Sequence, residues 1–479
     1  MAVLSGLEPK AVFAFFEDLC AIPRASHDTG AVSEYLLAFA RERGLRARRD
    51  EANNVIIFKD AAPGYEQAPT VMLQGHMDMV MERERTHHGG AAQEGLELFV
   101  EGDEIGARGS TLGADDGIGV AMMLAVLADD SLRHGPLECV FTADEEVGLL
   151  GARALDVSDL KAKYMINLDS AEERVFTVSC AGSTRVVSTL PLVREPFEGT
   201  VCALMVDGLT GGHSGEDIHR GRANANRLMG RALMALMDKT ELRLLTVSGG
   251  AKDNTIPRDA AALISVKDLE AAKAAAQALA AALENEYRAV EKKVRIRLFA
   301  TRSHFVPLDE ASTRRAATFL FCAPDGVQRM SAQVPDLVQT SLNFAQVYSE
   351  DRDLVCRFMI RSSINSQAEE VARQVTALTR ALGGEAIVPS AYSAWQYRPQ
   401  SHLREVMIDA FHTVYGTEPR IAALHASLEC GSLSGKMPDL DCISFGPDIL
   451  NDHTPAERLR IASVWRTWAL LLEGLRRLK

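Results

Sequence analysis

Apolar residues recur along this chain with two periods, and the two alternate. Val12, Phe13, Phe16 and Leu19 follow Pro9 at helical spacing. A second helical stretch runs to Gly44, a residue suited to closing a helix. Short apolar runs at 55–58, 71–74, 137–142 and 164–168 read as strands, with a helix over about 116–129 between them. Strands alternating with helices predict an α/β sheet with helices on both faces.

The pattern changes around 189–198, where two prolines and mixed charge interrupt it. Strand, helix, strand, strand and a long alanine-rich helix over about 269–290 follow. Next come a helix after Asp309, two long alternating strands at 337–348 and 353–362, and a helix to Leu382. These stretches read as two similar α+β units. After Tyr392 the α/β character returns, with a helix from His402, a strand at 442–445 and an amphipathic helix from Glu457. The expected organisation is a discontinuous catalytic domain, 1–189 and 391–479, with an inserted domain at 190–390. A chain of 479 residues is long for one core, which agrees with two domains.

Composition narrows the class. The chain is 47% hydrophobic and 24% charged, as in soluble globular proteins. Its net charge of −13 disfavours nucleic acid and anionic membranes as partners. No stretch reads as a signal peptide, and the longest apolar run, near 117–128, is too short to span a bilayer. The eight cysteines are scattered without a C-x-x-C pair, which predicts reduced core thiols in a cytoplasmic protein.

Candidate chemistry gathers where the predicted strands end. The strings are Q-G-H-M-D (His76, Asp78), L-G-A-D-D-G (Asp115), A-D-E-E-V-G (Glu145, Glu146), N-L-D-S (Asp169) and N-D-H-T-P (His453). His76 and Asp78, two apart in a strand, face the same way, so Asp78 can orient an imidazole that binds a metal. Asp115 at a helix start can bridge two cations, or simply cap the helix. Glu145 and Glu146 suit a proton shuttle beside a ligand, or a solvated turn. His453 alone reads as an exposed loop histidine. Taken together, two histidines and three carboxylates give each of two metals a histidine, a terminal carboxylate and a share of Asp115. In this division His76 goes with Asp169 and His453 with Glu146. Mixed nitrogen and oxygen donors favour zinc, with cobalt or manganese as substitutes.

With these residues in place, the chain resembles the two-zinc dipeptidase and carboxypeptidase family that includes carnosinase and bacterial glutamate carboxypeptidase. Within it the resemblance is to the group that cleaves Xaa-His dipeptides. The strings that carry it run from end to end: G-H-M-D-M-V, T-L-G-A-D-D-G-I-G-V-A, T-A-D-E-E-V-G, G-L-T-G-G-H-S-G-E-D-I, G-R-A-N-A-N, K-D-N-T-I-P, L-E-C-G and S-F-G-P-D-I. The resemblance implies a zinc-peptidase-like mixed sheet with an inserted two-unit α+β lid. It implies metal ligands at His76, Asp115, Glu146, Asp169 and His453, a general base at Glu145 and an orienting aspartate at Asp78. It also implies a cis peptide at Asp115–Asp116. His213 in G-G-H-S-G matches the family's lid histidine, which stabilises an oxyanion. Asn254, Arg361 and Gly431 match substrate-binding positions, although Arg361 also reads as an ordinary strand-end cation. An aspartate rather than a glutamate at Asp169 leans toward a dipeptidase.

The expected activity is hydrolysis of dipeptides, preferentially Xaa-His and carnosine-like, by water activated between two zinc ions. The competing expectation is an N-acyl-amino-acid deacylase or related amidohydrolase. A metal-free binding relative would have lost ligands, and here all five and Glu145 are present. The partner expected is a small peptide, and a homodimer formed through other surfaces is compatible with it. Relatives with a lid of half this length complete their site across a dimer, so the second unit is expected to replace the partner's lid.

Overall fold

The computed structural model describes residues 3–84 and 95–479. Two compact units emerge: Met1–Cys180 with Trp395–Leu424 and Leu428–Lys479, and Ala181–Ala394 with His425–Ser427. Among the described residues no helix is long and apolar enough to cross a membrane.

The first unit is built on an eight-stranded mixed sheet. Its centre runs Leu137–Thr142, Val71–His76, Tyr164–Asn167, Asp441–Ser444, all parallel. Every residue of these four strands is buried, because helices cover a parallel sheet on both faces. The antiparallel strands Val55–Lys59 and Arg46–Arg49 extend one side, and Val175–Cys180 and Arg420–Leu424 the other.

Helix Lys10–Cys20 buries Val12, Phe13, Phe16 and Leu19, the predicted apolar face. Each phenylalanine is fully enclosed, worth roughly 1.5–3 kcal/mol against exposure. The helix Gly30–Glu42 ends where the chain turns left-handed at Gly44, φ +66°. Helix Ala114–Ala128 is apolar on every side and packs between helix Lys10–Cys20 and strand Val71–His76.

A small four-stranded sheet matters for the site. Its strands Ile449–Leu450 and Arg458–Arg460 pair with each other, and Arg458–Arg460 also pairs with Glu104–Ala107. This pairing takes Arg458–Arg460 out of the final helix, which runs Ile461–Arg477 rather than from Glu457. Backbone partners at the sheet edge override helical periodicity there.

The second unit holds a nine-stranded antiparallel sheet. Thr200–Asp207, Leu242–Gly249, Ala260–Val266 and Arg295–Ala300 meet Val338–Ser349, Asp353–Ser362, Gly182–Pro191 and Glu385–Tyr392 through the Leu242–Gly249/Val338–Ser349 pair, and the ninth strand, Gly326–Met330, branches off Val338–Ser349. Helices Ala225–Met237, Leu269–Tyr287, Glu310–Cys322 and Asn365–Ala381 contribute to one continuous apolar core with the sheet. All eight cysteines are free thiols, and seven are buried.

Candidate active site

The parallel register decides which residues meet. His76 pairs with Thr142, and Gln74 with Asn167, so three strands end level with one another. His76 closes its strand, Glu145 and Glu146 follow Thr142 by a few residues, and Asp169 follows Asn167. Ligands of open α/β sheets collect at this edge.

Asp115 lies at the centre. The chain at Asp115 and Asp116 is non-helical (ψ 109° and 31°), and the peptide between them is cis. Asp115 Oδ1 is 3.0 Å from His76 Nε2, and Oδ2 is 3.1 Å from His453 Nε2. A second carboxylate stands at each histidine. Asp169 Oδ1 is 3.7 Å from His76 Nε2, and Glu146 Oε1 is 3.0 Å from His453 Nε2. Glu146 Oε1 is buried and has His453 Nε2 as its near neighbour. Asp452 also approaches Asp115 and His453.

The imidazole of His76 is fixed through its other nitrogen. Nδ1 is 3.1 Å from the Asp78 carbonyl oxygen and 3.5 Å from its carboxylate. The Asp78 carboxylate accepts from Ser26 Oγ (2.8 Å), Glu145 N (3.0 Å) and Glu146 N (3.4 Å). It therefore ties the glutamate turn to the histidine strand.

The site is rich in acid. Burial works to raise Asp115, but hydrogen bonds to His453 and His76 hold it well below the usual carboxylate range. Burial, reinforced by neighbouring carboxylates, pushes Asp116, Glu145 and Asp169 well up. Asp115 and Glu146 raise His453 to about 11. His76 is also raised, its hydrogen bonds to Asp115 and Asp78 outweighing burial. Two histidines do not balance this many carboxylates, whereas divalent cations would, and the hard and borderline donors suit them. The residues fit a two-metal centre.

Several buried residues around these side chains were not expected from the sequence. Glu429 is fully buried and hydrogen-bonded to Gln74 and Thr142 on the strands beneath the donors. Burial raises it to about 7. An acid flanked by Leu428 and Cys430 was the available signal. Arg24 and Glu457 contact the Asp115 loop, and only the fold reveals either.

The remaining predicted residues divide between the units. Gly431 is in the first, buried in helix Glu429–Lys436, its N–H donating to Leu428 O. His213, Asn254 and Arg361 are in the second. His213 lies on the ribbon Gly212–His213, which pairs with Thr255–Ile256. Its Nδ1 accepts from Glu216 N (3.2 Å), leaving Nε2 to carry the proton. Burial and then Arg361 lower its pKa, so the ring is a neutral donor. Arg361 is buried with Nε unpartnered. His425 was not predicted. It is lowered to about 3 by burial and then by Arg361, and bonds Ser341 Oγ at 2.7 Å. Asn254 is exposed, and its carbonyl accepts from Ser214 N.

Known proteins share this architecture. The chain is 35% identical to the cytosol non-specific dipeptidase of Escherichia coli (strain K12), over 99% of both chains. The aminoacylhistidine dipeptidase of Vibrio alginolyticus superposes with a TM-score of 0.92 at 33% identity, covering 99% of this chain and 98% of that one. An M20 family metallo-carboxypeptidase of Sulfolobus solfataricus shares the fold, with a TM-score of 0.53 at 14% identity over 98% of this chain and 99% of that one. A family model for a peptidase dimerisation domain matches residues 205–291, and one for peptidase family M28 matches 54–189. The chain belongs to the M20 family of metallopeptidases. Within that family it groups with the dipeptidases of Escherichia coli and Vibrio, and it is a hydrolase.

Proposed function

We propose that this enzyme hydrolyses dipeptides, with a preference for Xaa-His, using water activated at a dinuclear zinc centre. The observation that carries the reading is the split reach of Asp115, one oxygen to His76 and the other to His453. Asp169 completes the first pair and Glu146 the second. Asp115 with His76 and Asp169, and Asp115 with His453 and Glu146, would hold two divalent ions, which would supply an acidified water and a Lewis acid for the scissile carbonyl.

The side chains supply the rest. Glu145 takes a proton from the water and returns it to the leaving amine. Asp78 orients His76 and holds the Glu145 turn. His213, neutral with its proton on Nε2, donates to the developing oxyanion. Arg361, buried and free at Nε, matches a dipeptide's terminal carboxylate, with Asn254 and Gly431 as further contacts. The Xaa-His preference follows the Vibrio relative's name, and the cytoplasm follows that of the Escherichia coli relative. A homodimer agrees with the dimerisation-domain match.

The test is turnover of carnosine, a panel of Xaa-His and other dipeptides, and N-acyl amino acids, after chelation and re-addition of zinc, cobalt or manganese. Xaa-His peptides should be cleaved fastest with zinc restored. Cleavage of acylated amino acids without dipeptides would establish the deacylase alternative instead.

A further inference from the structure

Two buried charges of opposite sign grip one peptide next to the bridging aspartate. Glu457 is 2% exposed and Arg24 is 1% exposed. Glu457 Oε2 accepts from Leu112 N (2.8 Å) and Gly113 N (2.9 Å). Its Oε1 accepts from Ala114 N (2.8 Å) and Asp115 N (3.4 Å). The carbonyl of Gly113 accepts from Arg24 Nη2. Arg24 Nη1 donates to Met77 O and Asp78 O, at 3.1 Å each.

These bonds connect three loops distant in sequence. Glu457 follows His453 by four residues, so its carboxylate locks the His453 loop to the Asp115 loop. Arg24 locks the Asp115 loop to the segment carrying His76 and Asp78. Gly113 is left-handed (φ +66°), and a Cβ there would lie 2.6 Å from Arg24 Nη2 and from Met79 Sδ. A buried charge is an inefficient stabiliser, because desolvation offsets much of its attraction. Four converging N–H groups on one carboxylate do fix a loop in place, and supporting groups of this kind tune metal sites.

We propose that Glu457 and Arg24 are positioning residues that set how the two oxygens of Asp115 are aimed, and thereby the affinity of the metal centre. The inference rests on the two-ion reading above. Glu457→Gln keeps the shape but turns an NH2 group toward backbone donors. Its control is Glu138→Gln, since Glu138 is also buried and accepts Lys161 N (2.8 Å) and Ala162 N (3.1 Å).

The full-length proteins are stripped of metal and titrated with zinc against a competing chromophoric chelator. The thermal midpoint of each stripped protein and its kcat and KM on a dipeptide are also measured. Glu457→Gln should bind at least one zinc about tenfold or more weakly, and lose kcat with KM little changed. Glu138→Gln should lose thermal stability and keep wild-type zinc affinity. Gly113→Ala, which presses the same peptide from the Arg24 side, should repeat the zinc defect. Wild-type zinc affinity in folded Glu457→Gln overturns the proposal. Failure of both Glu457→Gln and Gly113→Ala to fold also overturns it, assigning the clamp to folding. A wild-type chain that takes up no zinc overturns the metal reading itself, and this proposal with it.

Discussion

Asp115 Oδ2 stands 3.1 Å from His453 Nε2, although 338 residues separate them in the chain. Its other oxygen is 3.0 Å from His76 Nε2. One carboxylate thus reaches both histidines, and in the proposed metal centre its removal should affect both ions. Asp115→Ala is expected to lose both metals, and chelation of the wild type to abolish activity reversibly. Stoichiometric zinc in the mutant by elemental analysis, or full activity after exhaustive chelation, would count against the bridge.

Glu145 is held by Asp78 through its backbone N–H, and its side chain lies close to His76 and Glu146. Glu145→Ala should keep its fold and metal and lose roughly 10²–10⁴-fold in kcat, the usual range for a general base. Near-wild-type kcat in a metal-loaded mutant would sink the assignment.

Proton release should accompany metal uptake. His453 is raised from 6.5 to about 11 by Asp115 and Glu146, and His76 is also raised, so the metal-free site favours the protonated form of both rings. The sign follows from linkage. The His453 contribution to the metal-free fold is fully present below pH 6.5 and is lost as pH rises through about 11. A cation competes with these protons, so apparent zinc affinity should increase with pH. Calorimetry in buffers of different ionisation enthalpy measures the release. Zinc binding at pH 7 without proton release would refute the protonated pair.

His213 presents Nε2–H as its free donor, so His213→Ala should lower kcat more than it raises KM. The long insertion predicts that this histidine acts within its own chain. Inactive Glu145→Ala and inactive His213→Ala proteins, mixed under conditions of subunit exchange, should then remain inactive. Recovery toward a quarter to a half of wild-type activity would show that the histidine crosses between chains.

The α/β alternation and the strands at 71–74 and 137–142 were legible in the sequence, and so were the strings whose histidines and carboxylates the fold brings together. The reason is that burial on both faces demands uninterrupted apolar runs, while donors interrupt them at strand ends. The start of the last helix was misread, because Arg458–Arg460 pairs with Glu104–Ala107, a partner that no local pattern reveals. Glu429 sits in a short string whose acid looks unremarkable until it is buried against Gln74 and Thr142.

The sequence by itself determined the histidines and carboxylates of the proposed centre and the strand ends that carry them. Only the tertiary structure decided which oxygen of Asp115 faces which histidine, that Asp78 binds the glutamate turn as well as serving His76, and that Glu457 and Arg24 hold Gly113 between them. Apolar periodicity is written in neighbouring residues, and so it survives in one dimension. A hydrogen bond between residues hundreds of positions apart depends on register and loop closure, which exist only once the sheet has formed.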